Sequence, residues 1–223
     1  MSVKNLLILI IIQFFYGSIG QSSVLACSSV YLNNNKEYSS YSELRKYQKE
    51  GVDFKITESF VESPITIIAP HGGLIEFGTS EIARMIAGTS FNLYLFEGIK
   101  SNSNFELHIT SDSFDEPRAI RIMKRSVLGI SIHGFKNDKI ELIAIGGANK
   151  FVGAKLAIEL QKIGINIDFP STRFKGESLE NIVNKSKNYG VQLELSSRLR
   201  ENFLSNSDRL IKFCEIIRLV LKN

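Results

Sequence analysis

The chain holds only three histidines, His71, His108 and His133, and each lies near residues that could share a cation with it. In "APHGGLIEFGTSE", residues 69–81, His71 and Glu76 are five positions apart on a corner rich in glycine. Gly72 and Gly73 let the backbone fold sharply, so a ring nitrogen and a carboxylate can converge there. His133, in "SIHGF", ends its own apolar run and supplies a second imidazole. Two histidines and one carboxylate, with a fourth position left for water, make the ligand set of a hydrolytic zinc site. Each residue also has a purely structural reading. A histidine at a strand end can bond a loop carbonyl, Glu76 can cap a helix starting near Thr79, and His133 can be a satisfied core residue.

Glu194 stands inside the apolar stretch "GVQLELSSRLR". Alternation places Val191, Leu193 and Leu195 on one side and Gln192, Glu194 and Ser196 on the other, so the glutamate's face is either solvated or part of a site. Beside a zinc-activated water Glu194 would serve as general base and return the proton to the departing amine. "LHITSDSFDEP" adds His108, Ser111, Asp115 and Glu116. That stretch can contact a second group of a substrate, orient a ligand from behind, or compete as a ligand set itself; Asp115 and Glu116 also suit a turn closed by Pro117.

These residues need elements to hold them. "SPITIIAPHGG" reads as a strand of β-branched residues, and "GTSEIARMIAG" as a helix capped by Thr79 or Ser80 and closed by Gly88. "FNLYLFEGI", "FELHITS", "SVLGISIHGF", "KIELIAIGG" and "GVQLELS" read as further strands. "YSSYSELRKYQKEGVDF", "NKFVGAKLAIELQKIG" and "DRLIKFCEIIRLVLKN" read as helices, the first ended by Gly51. Strands alternating with helices predict a three-layer α/β/α sandwich around a mixed, mostly parallel sheet, with ligands gathered where strands end.

The composition suits one globular domain: 223 residues, 43% hydrophobic and 22% charged. The net charge of +4 comes from scattered Lys and Arg with no basic stripe, which argues against nucleic-acid binding. "MSVKNLLILIIIQFFYGSIG" has the layout of a secretory signal peptide, residues 1–20, with cleavage as late as residue 26 as an alternative. This predicts an exported, monomeric catalytic domain over residues 27–223, without stable membrane association once the signal is removed. A lipid attached at Cys27 and an uncleaved anchor are the rival readings. Cys27 and Cys214 are the only cysteines and show no metal-type spacing; a bridge between them and a free, packed Cys214 both stay open.

Taken in order, "YSSYSEL", "GVDFKI", "APHGGLIEFGTSEIA", "YLFEGIKS", "LHITSDSFDEP", "SIHGF", "IGG" and "NIVNKSKNYGVQLELSSRLR" resemble the poly-γ-glutamate hydrolase family over roughly residues 38 to 221. The resemblance implies a zinc carboxypeptidase-like core, one Zn²⁺, and an amidase acting on anionic γ-linked glutamate polymers. By motif, His71, Glu76 and His133 match the metal ligands and Glu194 the catalytic glutamate. Four residues separate His71 from Glu76, where carboxypeptidases have two. For the substrate's carboxylates Arg198 is the first candidate, because a guanidinium can grip a carboxylate with two bonds, and Arg200 the second. His108, Asn184 and Asn181 would add polar contacts. A zinc amidase for another γ-glutamyl, cell-wall or acylamino substrate and a non-catalytic binding module are the alternatives.

Overall fold

The computed structural model of the protein describes residues 38–223. The expected signal segment, residues 1–20, and Cys27 lie outside the described residues. The order is α1 (Tyr41–Leu44), β1 (Phe54–Ser59), β2 (Ile65–Gly73), α2 (Thr79–Ala87), β3 (Asn92–Gly98), α3 (Pro117–Arg125), β4 (Leu128–Phe135), β5 (Leu142–Gly146), α4 (Lys150–Gln161), β6 (Asn166–Asp168), β7 (Gly190–Ser196), α5 (Ser197–Ser205) and α6 (Ser207–Lys222). The strands form one seven-stranded sheet in the order β1-β3-β2-β4-β7-β5-β6. The pairs β2–β3, β2–β4, β4–β7 and β5–β6 are parallel, and β1–β3 and β5–β7 are antiparallel. The sheet is therefore mixed and mostly parallel, as expected.

Both faces are covered. On one, Ile67, Leu95, Ile130, Ile145 and Leu193 pack beneath α2, α4, α5 and α6. Helix α6 meets them with Leu210, Phe213, Cys214 and Ile217, a spacing that puts all four on one helical stripe. Each large apolar side chain so buried contributes about 1.5–3 kcal/mol relative to exposure. On the other face Ile68, Tyr94 and Phe96 pack against α1, α3 and the 3-10 turn Ile182–Lys185. That makes three layers, α/β/α.

The second face changes character along the strands. On β2 its apolar part stops at Ile68, before His71, and on β4 and β7 Ser131, His133, Gln192 and Glu194 are all buried and polar. A sheet between two helical layers buries both faces of its central strands, so the side of β7 bearing Glu194 is not solvated.

Several elements differ from expectation. "FELHITS" is no strand: Asn104–Leu107 form a 3-10 turn and His108 follows as its extended C-cap. Pro117 does not close a turn but opens α3 at its first position, with the Glu116 carboxylate accepting from the Ala119 N–H. The first helix ends at Leu44, well before Gly51. Gly78, not Thr79 or Ser80, is the N-cap residue of α2. Among the described residues no helix is long and apolar enough to cross a membrane.

Candidate metal centre

Strand β2 carries a bulge between Ala69 and Gly72, where it gains one residue on β3. Side chains alternate along a strand, so without that extra residue His71 would point with Ile65, Ile67 and Ala69 into the apolar layer. The bulge turns it to the face of His133 and Glu194. Gly73 then takes a positive φ of 63°, and a Cβ there would meet the Gly98 carbonyl at 2.5 Å, so only glycine fits the corner. The Glu76 N–H donates to the His71 carbonyl (2.9 Å), folding the glutamate back beside the ring.

The three side chains converge. His71 Nδ1 lies 3.1 Å from His133 Nδ1 and 3.2 Å from Glu76 Oε1, and His133 Nδ1 lies 3.7 Å from Glu76 Oε2. A zinc ion with ~2.0–2.1 Å bonds in a tetrahedron requires ligand–ligand edges of ~3.3 Å. The outer nitrogens are spoken for. His71 Nε2 donates to the Ile109 carbonyl (2.7 Å), which leaves Nδ1 as the ring nitrogen turned to the centre, and His133 Nε2 faces Ser111 Oγ at 3.4 Å. Glu76 Oε2 is held by the Gly134 N–H (2.7 Å). Two imidazole nitrogens and a carboxylate, oriented from behind and aimed at one point, fit a divalent cation of zinc type.

Electrostatics agree with the geometry. Burial, followed by the His71 charge, pushes His133 down to about 3, so the ring is neutral and able to ligate. Burial raises Glu76, but the His71 charge and hydrogen bonds from His108 and His71 outweigh it and hold the carboxyl well below the usual range. Glu194 is the Cα neighbour of His133 across the β4–β7 pair. Its carboxyl is pushed up to about 8, first by burial and then by the charge of Glu76, against the pull of Arg200. A polar ladder reaches it, since Asn181 donates to Gln192 (3.0 Å) and Gln192 to Glu194 (2.9 Å).

The remaining residues divide. His108 belongs to the centre: its ring stacks on His71 with centroids 3.9 Å apart, and its Nε2 is 3.6 Å from Glu76 Oε1. Arg198 does not. It is exposed on the first turn of α5, where its backbone N–H bonds the Asn137 carbonyl. Arg200 instead turns inward, donating to the Phe77, Phe135 and Leu195 carbonyls. Asn184 is no substrate contact either: its amide accepts from the Ala148 and Gly190 N–H groups and donates to the Gly176 and Ser178 carbonyls, which uses it fully inside the fold. Ser111 orients a ligand from behind, as its stretch suggested, whereas Gln192 and the Ile109 carbonyl border the centre without a predicted role; the polar positions of "GVQLELS" were the available signal for Gln192.

Beside the centre lies a cavity of about 560 Å³, lined by Ser111, Asp112, Arg173, Lys175, Asn181 and Gln192 among others. A second, of about 380 Å³, is lined by Tyr38, Phe105, His108 and Ser113, and Thr110 borders both.

Residues 38–212 match the family model described as poly-γ-glutamate hydrolase. The chain belongs to the poly-γ-glutamate hydrolase family. It is 35% identical to YndL of Bacillus subtilis strain 168 over 212 residues, covering 88% of this chain and 81% of that protein. It is also 34% identical to the SPbeta prophage-derived YoqZ of the same strain, covering 88% and 69%. Among solved structures, a bacteriophage poly-γ-glutamate hydrolase superposes with a TM-score of 0.79 at 29% identity, covering 83% of this chain and 96% of that one. The zinc-free apo form of YndL gives a TM-score of 0.78 at 34% identity, covering 83% and 97%.

Proposed function

We propose that this protein is a zinc-dependent hydrolase of the γ-glutamyl amide bonds in poly-γ-glutamate. The observation that carries the reading is the triangle of His71 Nδ1, His133 Nδ1 and a Glu76 oxygen, with Glu194 on the adjoining strand position. Family membership and the zinc-free description of YndL support it.

His71, Glu76 and His133 would hold the ion; zinc there supplies Lewis acidity, polarising the amide carbonyl and acidifying a water. Glu194 takes the proton from the attacking water and delivers it to the leaving nitrogen. Its buried setting gives the carboxyl the raised affinity for a proton that this double role needs, and Gln192 fixes the oxygen it bonds. His108, stacked on His71 and close to Glu76, walls the centre from the side of the smaller cavity. Ser111 and the Ile109 carbonyl keep both rings in the ligating orientation.

The test incubates the zinc-loaded protein with purified polymer and follows product size by gel filtration. Shortening that is abolished by chelation and restored by zinc supports the reading; intact polymer with bound metal rejects it. Export under the control of residues 1–20 is a separate proposal, resting on the sequence pattern alone, and N-terminal sequencing of protein recovered from culture medium checks it.

A further inference from the structure

The larger cavity is lined by Arg173, a cation that forms no ion pair among the described residues. Arg173 lines it together with Gln192 and Asn181, the two side chains of the ladder that ends on Glu194. Its guanidinium carbon lies 4.6 Å from the centre of the Phe174 ring and 5.6 Å from that of Phe135, two residues past His133 on β4. The rings themselves are 5.1 Å apart and hold the guanidinium by cation–π attraction. Among the described residues no carboxylate lies within ion-pair distance of it. Glu177, on the same rim, is taken by Lys150 (2.5 Å), which leaves Asp112 as the cavity's other anion against Arg173 and Lys175. The charge of Arg173 nonetheless reaches Glu194 and lowers its pKa.

We propose that Arg173 is a specificity-determining residue that grips the free carboxylate a γ-linked glutamate carries beside the scissile amide. In a γ-linked chain the carbon bearing the amide nitrogen also carries that carboxylate, so an anion accompanies every cleavable bond at a fixed position. In an α-linked chain the carboxylate sits at the far end of a flexible side chain. A guanidinium steadied by two aromatic rings, in the cavity that Gln192 links to Glu194, reads this difference, because its planar fork takes both carboxylate oxygens at once. Arg198 and Arg200 do not compete for the role, the one facing solvent and the other spending its donors on carbonyls.

The inference rests on the hydrolase reading of the centre, and a binding measurement separates the two. Zinc-loaded E194Q, with and without R173Q or R173K, is titrated by calorimetry with a short γ-glutamyl oligomer and with its α-linked counterpart. R173Q is expected to weaken γ-oligomer binding about tenfold or more and to erase the preference over the α-linked oligomer. R173K should recover part of the affinity, and the melting temperature should stay put because Arg173 is exposed. Binding of the γ-oligomer by R173Q within about twofold of its parent overturns the proposal. If the wild-type protein leaves the polymer intact while binding still depends on Arg173, the hydrolase reading falls and the carboxylate site stands. If the polymer is cut and R173Q binds undiminished, only the assignment of Arg173 falls.

Discussion

At the scale of single residues, the proposed chemistry turns on Glu194. A carboxylate on a fully covered strand is costly unless something uses it, and here one neighbour across the sheet is a candidate metal ligand. Glu194→Gln keeps the shape and the bond from Gln192 while removing the proton acceptor. Turnover of the polymer should fall by about 10²–10⁴-fold with zinc content unchanged, read by product sizing and elemental analysis. Without metal the same residue should shape stability against pH. Its folded value of about 8 lies above the ordinary 4.5, so between those values the folded protein holds a proton the unfolded chain has lost, and stability falls as pH rises. His133 acts oppositely, its folded value of about 3 lying below the ordinary 6.5, and stability rises with pH between those. The two slopes oppose each other from 4.5 to 6.5, and above 6.5 that of Glu194 remains alone until about 8. Urea midpoints in chelator should therefore drop from pH 6.5 to 8 in the wild type and stay level in E194Q; a level wild-type profile contradicts this origin.

At the scale of elements, the centre depends on how strand ends are tied. Arg200 reaches back from α5 to carbonyls at Phe77, Phe135 and Leu195, which belong to the corner before α2 and to the ends of β4 and β7. Its guanidinium passes directly over Gly134, where a Cβ would stand 2.0 Å from Nη1. Gly134 also supplies the N–H that steadies Glu76. Gly134→Ala should push the guanidinium off its carbonyls, costing about 1–3 kcal/mol in a denaturant titration and weakening zinc binding in competition with a chelator. Unchanged zinc affinity would mean that the clamp does not position Glu76. The sequence made the ligand-bearing strand ends legible because apolar runs stop at them and histidines are scarce. It concealed the bulge in β2, since nothing in "IIAPHGG" counts residues on a neighbouring strand. It also concealed α3, because Glu116-Pro117 suits a turn as well as a helix start, and only Ala119 N–H bonding to Glu116 distinguishes them. Arg198 and Arg200 differ by half a turn of α5, and which of them faces inward depends on where that helix begins, at Ser197 straight after β7.

At the scale of the whole molecule, β2 and β4 are central strands whose two faces serve different layers: one carries the candidate metal ligands, the other the apolar core beneath α6. Cys214 sits in that core with its thiol pushed up to about 12 by burial, so in the folded protein it should be inert to thiol reagents. A Cys27→Ser variant leaves Cys214 as the sole thiol and makes its labelling a reporter of opening on the face away from the metal. An ion that bridges His71 on β2 and His133 on β4 binds only where both strands are in place, so it stabilises folded over unfolded chains by mass action, about 4 kcal/mol at a thousandfold excess over its dissociation constant. For a domain of this length that shifts the melting temperature by on the order of 10 °C. Because the same two strands floor the α6 layer, zinc should slow Cys214 labelling as well as raise the melting temperature, and His133→Ala should abolish both effects. A melting temperature that rises with zinc while labelling continues at its former rate would show α6 opening on its own, uncoupled from the sheet that holds the centre.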